Sequence, residues 1–347
     1  MDQHIAESIG RPDLIRLEDR LVCLRFETMK AVSALAAVRH LLDTGAVRPG
    51  DTLLDSSSGI YAYALALACH RYGMRCHIVG STTVDHTLRT QLAVLGATLE
   101  QMEPCSDLRL DQKRRVERIH EILAEHPEYH WMRQYHDDVH YAGYRAVADR
   151  IRAETGADGL TVVGGVGSGA STGALARYLR EAGGDVELVG VQPYGSVTFG
   201  AGHVADPEII IAGIGSSIPF GNVAHEQYDT VHWISFEAAR AGSVDLLRRH
   251  AVFAGLSAGA GYLAARHERD RAPRRTVLFV AADTGHRYVD TVYAGHREAL
   301  PVSSLAPREV ADRGELALPW SRMAWNRAPA PGEARVPRAG GRLTQTT

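Results

Sequence analysis

Short apolar runs and longer amphipathic segments alternate along most of the chain. Apolar runs with the length of buried strands lie at residues 21–26, 52–55, 75–79, 98–102, 160–163, 186–192 and 276–281. Segments with a helical pattern lie between or beside them, at residues 30–42, 60–70, 85–95, 108–126, 141–155 and 172–182. This succession predicts an α/β fold of doubly wound domains with mainly parallel sheets, whose ligands bind beyond the carboxyl ends of the strands.

The composition is that of an ordinary globular protein. Hydrophobic residues make up 45% of the 347 residues, and no stretch approaches the roughly 18 consecutive apolar residues of a membrane-spanning helix. The charged residues 1–20 lack the apolar core of a signal peptide, so we expect a cytoplasmic protein with reduced cysteines. The formal net charge of -3 gives no reason to expect nucleic acid or a membrane surface as a partner. Residues 328–347 are rich in Pro, Gly, Arg and Thr, which predicts a flexible tail.

Lysine is rare in this chain, and its rarity singles out one position. Of the 38 basic residues only two are lysine, Lys30 and Lys113. Arginine keeps its proton at any working pH, whereas a buried lysine can lose its proton and attack a carbonyl group. Lys113 lies in the charged run 111–115 of a predicted helix, and we expect it on the solvated surface. Lys30 precedes small and apolar residues, so it is the candidate amine nucleophile.

The strongest local signal is a glycine-rich segment between a predicted strand and a predicted helix. Residues 164–173 contain five glycines together with hydroxyl-bearing residues. Glycine lets the backbone approach an anion closely, and the N–H groups at a helix N-terminus favour negative charge. A purely structural glycine turn is the alternative. A dinucleotide is disfavoured because the next strand ends in Gln192 instead of an acidic residue, so we expect a small phosphate ester.

Two further segments open helices with small or hydroxyl-bearing residues. Ser57, Ser58 and Gly59 could bind a carboxylate at a helix N-terminus, although a serine there could also serve only as a helix cap. Residues 255–260 are a weaker signal, because small residues also allow close helix packing. The histidines and acids at residues 136–140 lack metal-ligand spacing, so we interpret them as a solvated turn and predict no metal site.

In this order, these segments resemble the cysteine synthase-like family of pyridoxal-phosphate (PLP) enzymes, which have fold type II, the tryptophan synthase β-like fold. The resemblance covers roughly residues 10–300. It implies PLP as the cofactor, small amino acids as substrates and a homodimer. It also implies a large cofactor-binding domain of residues 1–33 and 140–300, a smaller mobile domain of residues 34–139, and an extension with a flexible tail at residues 301–347.

The resemblance further implies roles for individual residues. Lys30 matches the catalytic lysine that forms the Schiff base with the cofactor. The implied cofactor-binding residues are Gly167, Ser168, Gly169, Ala170 and Ser171 around the phosphate, and Ser257 facing the pyridine nitrogen. The implied substrate-binding residues are Ser57, Ser58, Gly59, Gln134 and Gly213. Residues 282–288 match a late strand-end motif of the family.

The implied reaction is a β-replacement. Residues 56–59 and 195–200 are most similar to the branch of N-(2-amino-2-carboxyethyl)-glutamate synthases, which make 2,3-diaminopropionate precursors. In such a reaction O-phosphoserine or O-acetylserine loses its β-substituent, an aminoacrylate forms, and an amine adds at Cβ. Lys30 is expected to take and return the α-proton. Cysteine synthesis or β-elimination on the same fold is the first alternative.

Two positions depart from the family pattern. The approach to Lys30 is the short segment 26–29, where the family has an Asn-Pro-Gly-Gly-Ser-like sequence. Ile60 stands at the position of the asparagine that hydrogen-bonds the phenolic oxygen of the cofactor. Losing a hydrogen bond to a charged oxygen costs about 1.5–3 kcal/mol unless another donor, such as Tyr61 or Tyr63, replaces it. A catalytically silent PLP-fold binding protein is therefore the second alternative.

Overall fold

The computed structural model describes residues 1–82, 84–103, 108–156, 159–206 and 213–326. The strands are β1 (Asp13–Glu18), β2 (Leu21–Arg25), β3 (Thr52–Ser56), β4 (Arg75–Gly80), β5 (Thr98–Gln101), β6 (His130–Trp131), β7 (Leu160–Gly165), β8 (Val186–Gln192), β9 (Thr230–Ile234), β10 (Thr276–Ala281), β11 (Arg308–Glu309) and β12 (Trp320–Ala324). The α-helices are α1 (Ile5–Ile9), α2 (Lys30–Asp43), α3 (Ile60–Tyr72), α4 (His86–Val94), α5 (Leu108–Glu125), α6 (Tyr144–Thr155), α7 (Ala170–Glu181), α8 (Phe236–His250) and α9 (Leu256–Arg271).

The strands form two sheets. The larger sheet has the order β1-β2-β10-β7-β8-β9-β12-β11, and its central strands from β2 to β9 are parallel. The smaller sheet has the order β5-β4-β3-β6 and is parallel throughout. The predicted α/β class with mainly parallel sheets is confirmed. The domain limits at residues 33, 139 and 300 stay predictions.

The cores explain why the central strands read as continuous apolar runs. Strands β3 and β7 are buried along nearly their whole length, as expected for parallel strands covered by helices on both faces. Large side chains such as Trp233 and Tyr144 are fully buried in the larger body. Each such side chain contributes about 1.5–3 kcal/mol to the stability of the fold.

The extension beyond residue 301 takes part in the larger sheet. Strand β12 pairs with β9 in the antiparallel direction, with Trp320 opposite Ile234. The sequence pattern did not predict this strand, because Ser321 and Arg322 are polar and yet buried. The predicted flexible tail at residues 328–347 lies outside the described residues. Among the described helices, none has the length and apolar character needed to cross a bilayer.

A buried ionic network attaches β12 to α9. The Arg322 guanidinium donates to Glu268 through Nε, at 2.5 Å, and through one terminal nitrogen, at 3.3 Å. Trp320 Nε1 donates to His232 Nδ1. Because Nδ1 accepts a hydrogen bond, the ring proton is on Nε2, which donates to Glu268 at 2.9 Å. Burial alone would raise the pKa of Glu268, but His232 and Arg322 hold it well below its usual range. The carboxylate is therefore charged and fully partnered.

We expect Glu268→Gln to lower the free energy of unfolding by about 3–5 kcal/mol, because it leaves the Arg322 cation buried without its main partner. Glu309→Gln is the matched control, since Glu309 also binds Arg322, at 2.9 Å, but its side chain is half exposed. Glu309→Gln should lower the free energy of unfolding by about 1 kcal/mol or less. Urea unfolding followed by circular dichroism measures both values. Equal losses in the two variants would contradict the assignment.

Candidate active site

One cavity of about 380 Å³ lies at the carboxyl ends of strands from both sheets. Segments that follow β3, β7, β8 and β10 all contribute to its wall. The structure brings nine of the twelve predicted site residues to this cavity: Lys30, Ser57, Ser58, Gly59, Gln134, Gly167, Ser168, Gly213 and Ser257. The other three, Gly169, Ala170 and Ser171, are the N-cap and first residues of α7. Their individual roles stay predictions.

Lys30 is the first residue of α2, and its amine lies against the glycine-rich loop. Its Nζ donates to Ser168 Oγ at 3.0 Å. Burial lowers the pKa of Lys30 to about 8, although the carboxylate of Asp55 opposes this change. Lys113, by contrast, is exposed on α5 and pairs with Glu117, as expected for a surface lysine.

Glycines in the loop after β7 are required by a close neighbouring segment. A Cβ at Gly165 would lie 2.2 Å from Ile214 Cγ2, and a Cβ at Gly167 would lie 2.4 Å from the Gly213 oxygen. Gly169 has a φ of +81°, which favours glycine, and it precedes the first turn of α7. Gly167 and Ser168 thus line the cavity with little side-chain bulk, directly before the N-terminus of α7, a position that suits an anion.

The loop between β3 and α3 uses its serines as local acceptors. Ser57 Oγ accepts from the backbone N–H groups of Gly59 and Ala62, at 3.3 and 3.1 Å, so the helix-cap interpretation is realised. Ser58 Oγ accepts from the Ser81 N–H at 2.7 Å. Each hydroxyl still has its own proton to donate. The capping role thus leaves the loop able to bind a carboxylate.

Asp55 supports this loop from behind, and sequence reasoning did not single it out. It is buried and accepts from the Ser56 and Gln134 N–H groups and from Trp131 Nε1, at 2.7, 3.1 and 3.2 Å. Burial raises the pKa of Asp55 to about 7, and the hydrogen bonds oppose that rise. Gln134 is fixed in addition by its Nε2, which donates to the Ser56 oxygen at 2.8 Å. The position of Asp55 directly before the three serines is the sequence signal that could have identified it.

The opposite part of the wall carries Ser257 and a second carboxylate. Ser257 lies in the first turn of α9, and Asp283 follows β10. A Cβ at Gly255 would lie 2.0 Å from Asp283 Oδ1, so this glycine makes room for the carboxylate. Asp283 Oδ2 accepts from the Tyr288 hydroxyl at 3.1 Å, and burial raises the pKa of Asp283 to about 6.

Helix α5 contributes two charged side chains that sequence reasoning did not single out. Within the run 111–115, Lys113 is exposed, whereas Asp111 and Arg115 are buried and line the cavity. Arg115 donates to Asp111 Oδ2 at 3.0 Å and to Ser56 Oγ at 2.7 Å. The expectation that Lys113 lies on the solvated surface is confirmed, and the neighbouring face of the same helix packs over the end of β3.

The departure at position 60 places an apolar side chain in the cavity wall. Ile60 and its neighbour Tyr61 both line the cavity, whereas Tyr63 lies in a separate groove with Val94 and Leu95. The Tyr61 hydroxyl is buried and has no hydrogen-bond partner among the described residues. Tyr61 is thus nearer than Tyr63 to the position where a replacement donor is needed.

The turn after Gln134 is not solvated throughout. His140 is 1% exposed, and its Nε2 faces the Met132 oxygen at 2.9 Å. Burial lowers the pKa of His140 to about 4. The solvated-turn interpretation is wrong for this residue, because the turn packs edge-on against Tyr61. Within the described ranges, no group of three or more His, Cys, Asp or Glu side chains could hold a metal ion.

Comparison with known proteins identifies the family. The profile of the family described as "Pyridoxal-phosphate dependent enzyme" matches residues 4–283. The chain belongs to this family. The protein is therefore a PLP-dependent enzyme, and its cofactor is pyridoxal phosphate, as predicted.

Individual family members resemble the chain over most of its length. An N-(2-amino-2-carboxyethyl)-L-glutamate synthase from Cupriavidus metallidurans is 29% identical over 306 residues, which are 83% of this chain and 89% of that protein. A synthase of the same name from Ralstonia nicotianae is 31% identical over 255 residues, 73% of this chain and 74% of that protein. The crystal structure of an O-ureido-L-serine synthase is similar with a TM-score of 0.74 at 24% identity, over 85% of this chain and 96% of the other. This likeness confirms the fold type II architecture.

The residues present fit the cofactor. The Gly167–Ser168 loop has no room for a Cβ at Gly167, 2.4 Å from the Gly213 oxygen, and Lys30 places a partly desolvated amine beside it. Ser257 borders the same cavity from the first turn of α9. The cofactor supplies an electron sink for bonds at the α-carbon of an amino acid. Lys30 would hold its aldehyde, the loop its phosphate, and Ser257 its ring nitrogen.

We expect small amine-reactive reagents to modify Lys30 of the cofactor-free protein with a midpoint near pH 8. A pKa of about 8 leaves about a quarter of the amine neutral at pH 7.5, against about one part in a thousand for an ordinary lysine. Only the neutral amine reacts, so labelling should rise with pH and level off above pH 9. Peptide mass spectrometry measures the extent of labelling. Exposed Lys113 is the internal control, which shows that enough reagent is present at each pH. A midpoint above pH 9.5 would contradict the assignment.

Proposed function

We propose that the protein catalyses β-replacement on an O-activated serine, O-phosphoserine or O-acetylserine, and adds an amine nucleophile in specialised amino-acid biosynthesis. The observation that carries this proposal is the placement of the Lys30 amine in one cavity with an anion-binding loop and a carboxylate-binding loop. The names of the relatives from Cupriavidus metallidurans and Ralstonia nicotianae support the same reaction class.

Each loop has a task in this reaction. The Ser57–Gly59 loop and Gln134 orient the substrate carboxylate. The Ser57 and Ser58 oxygens accept hydrogen bonds within the protein, so each hydroxyl keeps its own proton to donate. Gln134 Nε2 donates one proton to the Ser56 oxygen and has a second proton for the substrate. Lys30, once released from the cofactor, is the base that takes the α-proton, and its low pKa keeps a useful fraction neutral. Gly213, with a φ of +85°, lets the backbone pass close to the substrate without a side chain.

Arg115 favours a phosphate as the leaving group. Its guanidinium lines the cavity, and its NH1 binds the Ser56 hydroxyl beside the carboxylate-binding loop. A guanidinium has five N–H donors, so bonds to Asp111 and Ser56 leave others for a phosphate oxygen. An acetate leaving group would use this cation less, since it leaves with only one negative charge.

The alternatives on the same fold are cysteine synthesis, simple β-elimination and catalytically silent binding of PLP. The Asp111 carboxylate on α5 favours an acceptor that carries a positive charge over the addition of anionic hydrosulfide. The short approach to Lys30 and the apolar Ile60 are the features that favour a silent protein.

A product assay tests the proposal. Purified protein with O-phosphoserine or O-acetylserine and a mixture of L-glutamate, other amines and sulfide should yield an N-substituted 2,3-diaminopropionate, detected by mass spectrometry. Lys30→Ala should lose the visible absorption of the bound cofactor and all product. Cysteine alone would favour the first alternative, and pyruvate alone would favour elimination. A protein with no product from any activated serine would support the silent binding protein.

We expect Arg115→Gln to lower kcat/KM for O-phosphoserine by about 10- to 100-fold, since a charge-assisted hydrogen bond contributes about 1.5–3 kcal/mol. Activity with O-acetylserine should fall much less. Lys113→Gln is the matched control: it removes the same charge from the same helix at an exposed position and should change neither value more than about twofold. Steady-state release of phosphate or acetate measures both reactions. An equal loss with both donors would contradict the assignment.

A further inference from the structure

Two carboxylates line the cavity within the described part of the chain, and they differ in accessibility. Asp283 Oδ2 accepts from Tyr288, and its Oδ1 is buried against Gly255. Asp111 Oδ2 accepts from Arg115 at 3.0 Å, whereas its Oδ1 has no hydrogen-bond partner among the described residues. Asp111 Oδ1 is also not completely shielded from solvent. Asp111 is therefore the carboxylate that can meet a ligand in this cavity.

Contacts on two sides hold Asp111 in place. Arg115, one helical turn further along α5, joins the carboxylate to the carboxylate-binding loop through its bond to Ser56 Oγ at 2.7 Å. Gln112, the next residue, accepts from Ser217 Oγ at 2.7 Å, which fixes α5 against the segment that follows Gly213. The Arg115 guanidinium thus lies between the Asp111 carboxylate and the loop that is proposed to orient the substrate.

An amine acceptor needs a partner of this kind. A primary amine reaches the enzyme mainly as an ammonium ion, which cannot attack carbon until it loses a proton. The described residues lining the cavity include no histidine, and Lys30 is already assigned to the α-proton. The other charged or titratable groups there are Arg115, Asp283, Arg287, Tyr61, Tyr135, Tyr194 and Tyr288. A carboxylate attracts the ammonium ion and repels hydrosulfide, which is an anion.

We propose that Asp111 binds the ammonium group of the acceptor and takes up its proton as the nitrogen bonds to Cβ of the serine-derived substrate. This inference rests on the proposed β-replacement and names the acceptor class, a protonated primary amine such as an amino acid. The proton passes from nitrogen to an Asp111 oxygen, and the freed lone pair forms the N–Cβ bond. The leaving group has already departed with the electron pair of its C–O bond, when Lys30 removed the α-proton. As the amine adds, the electron pair of the resulting Cα–Cβ double bond takes the α-proton back from Lys30, and Asp111 returns its proton to solvent.

Asp111→Asn tests this assignment, because the amide oxygen can still accept from Arg115 while the charge is lost. We expect kcat/KM for the amine acceptor to fall about 100- to 10,000-fold at pH 7.5, the range of a lost general base. The deficit should shrink as the pH rises, because the free amine becomes available without a base. Turnover with sulfide should stay within about twofold or increase. Asp111→Glu should recover part of the amine activity.

Glu117→Gln is the matched control, since it removes an exposed carboxylate from the same helix and should change nothing. Circular dichroism verifies that each variant is folded. An equal loss with amine and sulfide, or an amine deficit that is constant across pH, would overturn the role of Asp111 and leave the β-replacement intact. A wild-type protein that accepts sulfide but no amine would also overturn it. Failure with every nucleophile would instead remove the proposed function.

Discussion

The contact between Lys30 and Ser168 joins two parts of the chain that are 138 residues apart. Lys30 opens α2 immediately after the first strand pair, and Ser168 follows β7 in the middle of the same sheet. The contact exists because β2, β10 and β7 run in parallel, so that their carboxyl ends meet at one edge. Binding of an aldehyde and a phosphate in the same cavity depends on this contact between Lys30 and Ser168.

Close backbone packing is the second constraint on the site. Gly165 and Gly167 have no room for a Cβ beside the Gly213–Ile214 segment, and Gly255 has none beside Asp283. A methyl group at any of them would push a wall of the cavity outward. These three glycines therefore mark places where the wall of the cavity leaves no room for a side chain, which is a stricter requirement than flexibility.

Much of the fold could be predicted from the sequence, because its central strands are apolar on both faces. Strands β8 and β10 have the predicted bounds, and the helix at Lys30 differs by one residue at its end. Strand β1 was missed because it is only half buried, and β12 because Arg322 is buried by its pairing with Glu268. Such a strand can be recognised only when its distant ionic partner is known.

The same reasoning explains what was missed in the site. Lys30 and the glycine-rich loop are local signals: a rare residue type, and five glycines beside a strand. Asp111 and Arg115 have no local signal, since charged residues spaced four apart on a helix are also typical of a solvated face. Their burial follows from the contact of Arg115 with Ser56, which lies 59 residues earlier in the chain.

The α5 pair also bears on selectivity. A lone guanidinium in this cavity would attract every anion, including hydrosulfide and free phosphate. Asp111 balances the charge of Arg115 while leaving both groups accessible to a substrate, so the wall suits a molecule that carries a cation and an anion together. The predicted cofactor-binding residues Lys30, Ser168 and Ser257 lie on other segments. Substitutions on α5 can thus change the acceptor without disturbing the cofactor.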